Sequence, residues 1–322
     1  MNINGIDTTL QIGKESVWGT KVPATQNINF LSESFKMEPE FIEEDSVIGS
    51  ISARDKDIAA FNVSGGYDSI LKPENAVSFF ALALGLQAAP VSHDGATVAK
   101  DHVITPVGAN VALPSFTAIV DRKLHVKAYA GCQVGTFEIS AKSKDYIRTK
   151  VTAICKSEET GTITTLPKPS KKAYKFVNGV CAIDGTPFAD VTNVVFSGNN
   201  AATVGDHTLG SGLLPSEGGH GIREYSVTLD TKFNAAANSL IETKYKTGDT
   251  VEVELTFESP EEIEAGIKHQ FEISLPAVLI NGGLPNINGK EDLTVSITGV
   301  ALEKDGVSPC TVTVVSDIAT IF

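Results

Sequence analysis

Two pairs of residues have the types and the spacing that a metal site would need. His93-Asp94 and Asp101-His102 place two imidazoles and two carboxylates in one segment. Zinc and related ions accept that set of ligands. Both pairs lie in a stretch that we expect to be an exposed loop, where such side chains are usually just solvated. The sequence therefore predicts no metal site.

The usual catalytic signatures are missing. The sequence has neither a Gly-x-Ser-x-Gly elbow nor a His-Glu-x-x-His pair. Residues 283–291 resemble a phosphate loop, but five residues separate the glycines where four are needed. Residues 210–215 lack the third glycine of a dinucleotide fingerprint, and no spacing gives a cysteine its histidine partner. We predict no catalytic residue, no cofactor and no enzymatic activity.

The net charge and the length of the chain restrict its possible functions and its number of folding units. The chain has 322 residues, with 39 acidic and 26 basic side chains and a formal net charge of −13. An ordinary binder of the phosphate backbone needs a clustered basic surface, so this balance argues against one. It still permits a protein that lets nucleic acid pass without gripping it. A single core stops growing at roughly 250–300 residues, so we expect two folding units.

The cysteines and the hydrophobic stretches bear on location. The cysteines are too few and too widely spaced for a disulfide framework or a zinc finger, which predicts four reduced thiols in a protein made in the cytosol. Residues 1–7 lack the features of a secretory signal. No uncharged stretch is longer than that of residues 75–92, which is too short to span a bilayer, so we expect no membrane insertion. The cysteines are Cys132, Cys155, Cys181 and Cys310.

The hydrophobic pattern predicts a mainly β protein with two helices. Residues 251–258 alternate apolar with polar side chains, which is typical of a half-buried strand. Pro73–Leu84 and residues 235–245 break this pattern with helix-forming residues, and each stretch is followed by a glycine. Further strands are predicted at residues 116–120, 136–140, 147–154, 225–229, 270–275, 293–300 and 310–315.

The order of these elements suggests an internal repeat. A strand at residues 58–64 precedes the first helix, and a similar strand at residues 222–228 precedes the second. Further along, the Phe-Glu-Ile-Ser of residues 137–140 recurs at residues 271–274. Upstream, residues 48–50 correspond to residues 209–211. We expect a duplication, with residues 86–114 inserted in the first copy.

Several stretches resemble bacteriophage tail tube proteins. That family commonly opens with Gly-x-Glu-Ser/Thr-x-x-Gly-Thr followed by Pro, and residues 13–20 with Pro23 fit this pattern. Each motif is weak by itself, but together they cover most of the chain. The other matching stretches are residues 51–57, 130–134, 275–278 and 288–289.

The resemblance implies a fold and a set of partners. Family subunits are β-sandwiches or barrels with one flanking helix, and they form rings that stack into a hollow tube for DNA ejection. Some members carry two such folds and close as trimers with pseudo-sixfold symmetry, whereas single-fold members form hexamers. The implied partners are the chain itself, the tape-measure and tail terminator proteins, and viral DNA in the lumen. The implied location is the virion tail, after synthesis in the bacterial cytoplasm.

We therefore expect two tandem tail-tube-type folds. Residues 25–165 would form the first, with residues 86–114 as an inserted loop, and residues 166–322 the second. Residues 1–24 have little core-like periodicity, so we expect an N-terminal arm that either lies on a neighbouring subunit or frays.

Acidic residues are the candidates for a functional surface. Glu252, Glu254 and Glu258 share one face of a predicted strand, which would either line the lumen or form a solvated outer face. An acidic lining would repel DNA weakly and let it slide. A second acidic group is expected to form a surface loop, and it comprises Glu38, Glu40, Glu43, Glu44 and Asp45.

Two other functions stay open at the level of the residues. One is a different virion β-sandwich module for decoration or adhesion. The other is a hydrolase whose site is assembled from distant residues of a β scaffold.

Overall fold

A computed structural model describes residues 4–46, 49, 51–52, 55–109, 111–285 and 292–320. Several predicted features touch the residues outside these ranges. The matching stretch at residues 288–289 lies wholly outside them, within residues 286–291 of the loop that resembles a phosphate loop. Parts of the repeat element at residues 48–50, of the matching stretch at residues 51–57, of the expected arm at residues 1–24 and of the insertion at residues 86–114 lie outside as well.

The described chain is mainly β, as predicted. Every stretch that the alternating pattern assigned to a strand lies largely in one. The strands are β1 (Thr9–Lys14), β2 (Gln26–Ile28), β3 (Phe30–Glu33), β4 (Lys36–Glu43), β5 (Lys56–Ile70), β6 (Gly85–Gln87), β7 (Val91–Ser92), β8 (Lys100–Pro106), β9 (Phe116–Asp121), β10 (Val126–Lys142), β11 (Arg148–Cys155), β12 (Ser157–Thr160), β13 (Gly179–Ile183), β14 (Thr186–Pro187), β15 (Val191–Asn199), β16 (Ala202–Val204), β17 (Gly218–His220), β18 (Glu224–Lys232), β19 (Thr250–Glu264), β20 (Ile267–Gly282), β21 (Thr294–Ala301) and β22 (Thr311–Ser316). The helices are α1 (Pro73–Leu84) and α2 (Ala235–Leu240), with a π turn at Ile241–Tyr245 and 3₁₀ turns at Gly5–Asp7, His93–Gly95 and Phe176–Asn178.

Both predicted helices form, for the expected local reasons. Pro73 opens α1, where its fixed φ suits the first turn, and Gly85 follows the helix at φ +102°. The side chain of Asn234 caps α2 by accepting the N–H of Ala237 at 3.0 Å. The second helix is short and continues into the π turn, so together they cover residues 235–245.

The strands pair antiparallel in the same order twice. In the first half, defined as β1–β12, the pairs are β1–β2, β1–β9, β9–β10, β10–β12, β10–β11, β11–β5 and β5–β4. In the second half, β13–β22, the pairs are β13–β14, β13–β19, β19–β20, β20–β22, β20–β21, β21–β18 and β18–β15. The matched strands follow one another in the same chain order, with α1 and α2 at corresponding places.

The repeated Phe-Glu-Ile-Ser sequence lies on matching strands but at different positions along them. Phe137 of β10 is paired with Val151 of β11. Phe271 of β20 is paired instead with Val314 of β22. The shared four-residue sequence therefore correctly indicates that β10 corresponds to β20. The two copies of this sequence nevertheless lie opposite strands that do not correspond, β11 in one case and β22 in the other.

The two halves share one core. A single hydrophobic cluster of buried side chains runs from Leu10 to Val314. Helix α1 is buried on all sides, apart from Glu74, and it contacts β8 and β10 together with β20 and β22 of the second half. An apolar surface all round is what such a central position requires. The helix is thus an internal element, whereas the resemblance implied a flanking one.

Three expectations about individual segments are corrected by the structure. Part of the proposed N-terminal arm is strand β1, which lies between β2 and β9 with Leu10 and Ile12 buried. The inserted segment is not simply an exposed loop, because its strand β8 pairs with β22 and buries Ile104. The acidic stretch from Glu38 to Glu43 lies on β4, an exposed strand, and not in a loop.

The prediction of four reduced thiols is wrong for one pair. Cys132 of β10 and Cys155 of β11 form a disulfide, and both residues are buried in the core. Their strands are adjacent, which brings together two cysteines that are 23 positions apart in the sequence. Cys181 and Cys310 are free.

Candidate functional site

The four candidate metal ligands do not all converge. His93 Nδ1 lies 2.7 Å from Asp101 Oδ1. His102 is buried and turns inward, where its ring nitrogens meet the amide of Gln87 at 3.0 Å and the carbonyl of Ile318 at 2.9 Å. Among the described residues, no three His, Cys, Asp or Glu side chains are placed to hold a metal.

The free cysteines lie in surroundings that disfavour the thiolate. Burial raises the pKa of Cys181 to about 12 and raises that of Cys310 as well. A thiol must ionise to act as a nucleophile, so neither is activated.

The motif at residues 13–20 surrounds a buried carboxylate. Glu15 is 6% exposed. One of its oxygens accepts the N–H of Gly19 at 2.9 Å and the hydroxyl of Ser115 at 2.8 Å. The other accepts the hydroxyl of Thr117 at 2.7 Å and the N–H of Gly131 at 2.8 Å. Glu15 thus ties its own loop to β9 and β10, which stabilises the first half.

Two glycines make this arrangement possible. The indole of Trp18 donates to the carbonyl of Gly131 at 3.0 Å, and the ammonium of Lys156 lies 4.8 Å from the Trp18 ring centroid. Gly19 and Gly131 both have positive φ, and a Cβ on either would collide with the side chain of Lys156. The motifs at residues 13–20 and 130–134, which lie far apart in the sequence, therefore meet in one structural site.

The junction between the halves is a continuous sheet. Strand β10 pairs with β15 from Thr136 to Lys142, opposite Asn193 to Asn199. Near this junction a polar cleft of about 470 Å³ is lined mainly by hydroxyl and carboxylate side chains of β10, β11, β15 and β18. A second connection is made by β8 of the insertion, which pairs with β22. Between α2 and β19, where every residue is described, the second half has no counterpart of β8.

The β4–β5 hairpin presents an open strand edge. Strand β4 pairs with β5, and in the described part of the chain no strand pairs with its other edge. Phe41 and Ile42 are 54% and 58% exposed, and Ile58 on β5 is paired with Phe41. Pro39 removes one N–H donor from the hairpin. An exposed edge with large apolar side chains is the kind of surface that pairs with another chain.

The predicted acidic face forms on β19. Glu252, Glu254 and Glu258 are half-buried and alternate with buried apolar residues. Glu258 pairs with Lys268 at 3.0 Å. Burial, and then the charge of Glu254, raise the pKa of Glu272 on the adjacent strand. These carboxylates lie in the β13–β19–β20 part of the sheet, and not on the strands of the β10–β15 junction.

The fold and these sites define a class of protein. The polar contacts described above hold the protein's own strands together, and β4 offers an open strand edge, a combination that is typical of a structural β protein. A family model for phage tail tube proteins matches residues 5–301. The chain therefore belongs to the phage tail tube protein family.

Membership of this family establishes the general role. The protein is a structural component of the tail tube, it assembles with copies of itself, and it is located in the virion tail. No curated protein matches the chain. Within the described ranges, no helix has the length and apolar character needed to cross a membrane.

Proposed function

We propose that this chain is the major tail tube subunit, and that three copies close a ring containing six similar folds. Rings stack into a hollow tube, and viral DNA leaves the capsid through it. The tape-measure and tail terminator proteins are the further partners of this proposal. We also propose that the chain has no catalytic activity. The observation that supports the proposed ring is the pairing of strands between the two halves.

The internal junction supplies a template for ring closure. In the repeated pairing order, β4 corresponds to β15 and β10 corresponds to β20. The pairing of β10 with β15 therefore predicts that β20 pairs with β4 of a second copy. Strand β19 begins at Thr250, opposite Leu279, so the last residues of β20 extend past it. Such a head-to-tail contact closes a ring when the rotation between neighbouring copies, repeated a whole number of times, completes a full turn.

The repeat also supports the proposed division into two tandem folds. In this proposal the first copy comprises β1–β12 and the second comprises β13–β22. The common core means that the two copies pack as one body.

The ring proposal is tested by a change at the exposed hairpin. The double variant Phe41→Asp, Ile42→Asp should raise the concentration needed for assembly by at least about 30-fold, because the loss of an apolar contact worth ~2 kcal/mol has that effect. The thermal midpoint of the isolated chain should stay unchanged, since both side chains are exposed. Negative-stain electron microscopy and sedimentation measure the rings and tubes.

The control for this test is Leu209→Asp, which changes a leucine that is more exposed than either residue and lies outside the strands. It should assemble like the unaltered chain. A chain that stays monomeric at every concentration would argue for a decoration or adhesion module. Normal assembly of the double variant would show that the β4–β5 hairpin is not part of the interface between copies.

The acidic face is proposed as part of the channel lining, where like charge keeps DNA from sticking. Glu254→Cys, made together with Cys181→Ser, should react with biotin-maleimide in assembled tubes. If Glu252, Glu254 and Glu258 face the lumen, streptavidin-gold should then decorate tube ends at most, because a protein of that size does not enter the channel. Gold along the tube walls would place these residues on the outside.

A further inference from the structure

The segment that joins the two halves is held by carboxylates from both of them. Glu74, in the first turn of α1, accepts the N–H groups of Ser170 and Lys171, each at 2.7 Å. Glu261 of β19 accepts the N–H of Lys172 at 2.7 Å. The connection therefore lies against the folded body and is ordered by specific contacts.

The ammonium of Lys171 contacts a buried histidine. It donates to Asp317 Oδ2 at 2.5 Å and lies 3.0 Å from Nε2 of His269, which is 1% exposed. An ammonium group has only donors, so Nε2 must accept. The imidazole is therefore neutral in this arrangement, with its proton on Nδ1.

The charged groups around His269 act in opposite directions. Burial, and then the charge of Lys171, lower its pKa, while Asp317, Glu261 and Glu74 raise it, and the net change is downward. The folded arrangement therefore resists protonation of His269.

We propose that His269 is a proton-sensitive latch for the connecting segment. When Nε2 gains a proton, it can no longer accept from Lys171, and two cations then face each other at contact distance. Asp317 can pair with the imidazolium, while Lys171, whose side chain is already 23% exposed, turns to solvent. The segment at residues 170–172 then loses one of its contacts with the second half, while the N–H of Lys172 still donates to Glu261. Acid would therefore loosen this connecting segment before it unfolds either half, which the β10–β15 and β8–β22 pairings continue to hold together.

The pH window follows from the direction of the shift. Above about pH 6.5 the histidine is neutral in both the closed and the open arrangement, so the latch is fully stable. Below that value the open arrangement takes up a proton that the closed one refuses, and stability of the latch falls until the lowered pKa of His269 is reached. Burial raises the pKa of Asp317, but the hydrogen bond and the charge of Lys171 lower it by more, so this carboxylate stays ionised throughout the window.

Hydrogen exchange of the purified full-length chain between pH 7.5 and 5.5 tests the proposal. After correction for intrinsic exchange rates, protection of the amides at residues 170–172 should fall below pH 6.5, by up to about tenfold per pH unit. Amides of β22 should keep their protection. In His269→Gln, whose amide oxygen can accept from Lys171 at any pH, protection of the segment should not change with pH.

A second variant and a matched control complete the hydrogen-exchange test. Lys171→Met removes the opposing cation, so the pH dependence should weaken even if His269→Gln folds poorly. His102→Gln is the matched control, because His102 is also buried and contacts the neighbouring Ile318 carbonyl without facing a lysine. It should retain the pH dependence of the segment. An equal loss of protection in His269→Gln and the unaltered chain, or no loss in the latter, would overturn the latch.

Discussion

Replacing Glu15 by alanine is expected to lower the free energy of unfolding by about 3–5 kcal/mol. The substitution removes a buried carboxylate that accepts four hydrogen bonds. The hydroxyls of Ser115 and Thr117 and the N–H groups of Gly19 and Gly131 then lose their acceptor inside the protein. Urea denaturation, followed by the fluorescence of Trp18 in the same loop, measures the loss.

The matched control is Glu303→Ala, which removes an exposed carboxylate outside the strands. Its effect should stay within about 0.5 kcal/mol. Glu15→Gln keeps one acceptor oxygen, but its NH₂ group then faces other donors. Its loss of unfolding free energy should therefore lie between those of Glu303→Ala and Glu15→Ala. A loss below about 1 kcal/mol for Glu15→Ala would show that the donors find other partners, and that the motif is not an anchor.

Replacing Phe80 by alanine should also cost about 3–5 kcal/mol, and it should destabilise both halves together. Phe80 is 0% exposed, and its ring centroid lies 5.1 Å from that of Phe79 and 5.5 Å from that of Phe271 on β20. A cavity at this position faces strands of both halves, because α1 contacts β10 as well as β20 and β22.

Separate probes in the two halves measure this coupling. Trp18 fluorescence reports on the first half, and alkylation of the buried thiol of Cys310 reports on the second. Their unfolding midpoints should coincide in the unaltered chain and shift together in Phe80→Ala. Leu124→Ala, at a position that is 84% exposed, is the control and should leave both midpoints in place. Midpoints that separate would mean that the halves unfold independently despite the common core.

Local signals predicted the elements well. The alternation at residues 251–258 is strand β19, and Pro73 with Gly85 bounds α1 at the predicted residues. These features depend on neighbours within a few positions, where side-chain periodicity and backbone preference act directly. The repeat was also visible, since matching strands occur in matching order.

Contacts between distant residues escaped prediction. Nothing in residues 86–114 indicates that β8 would pair with β22, because either strand edge satisfies backbone hydrogen bonds equally well. Glu15 was noticed only as part of a motif, although its acceptor role depends on donors a hundred positions away. The disulfide was missed for the same reason, since spacing alone does not show which strands are adjacent.

By itself, the sequence determined the two helices, the strands with clear alternation, and the family that the chain resembles. Tertiary structure alone decided that β1 is an internal strand, that α1 is shared by both halves, and that the acidic face lies away from the junction sheet. The physical reason is that periodicity specifies which face of an element is buried. It does not specify the element against which that face packs, because burial of apolar area is nondirectional.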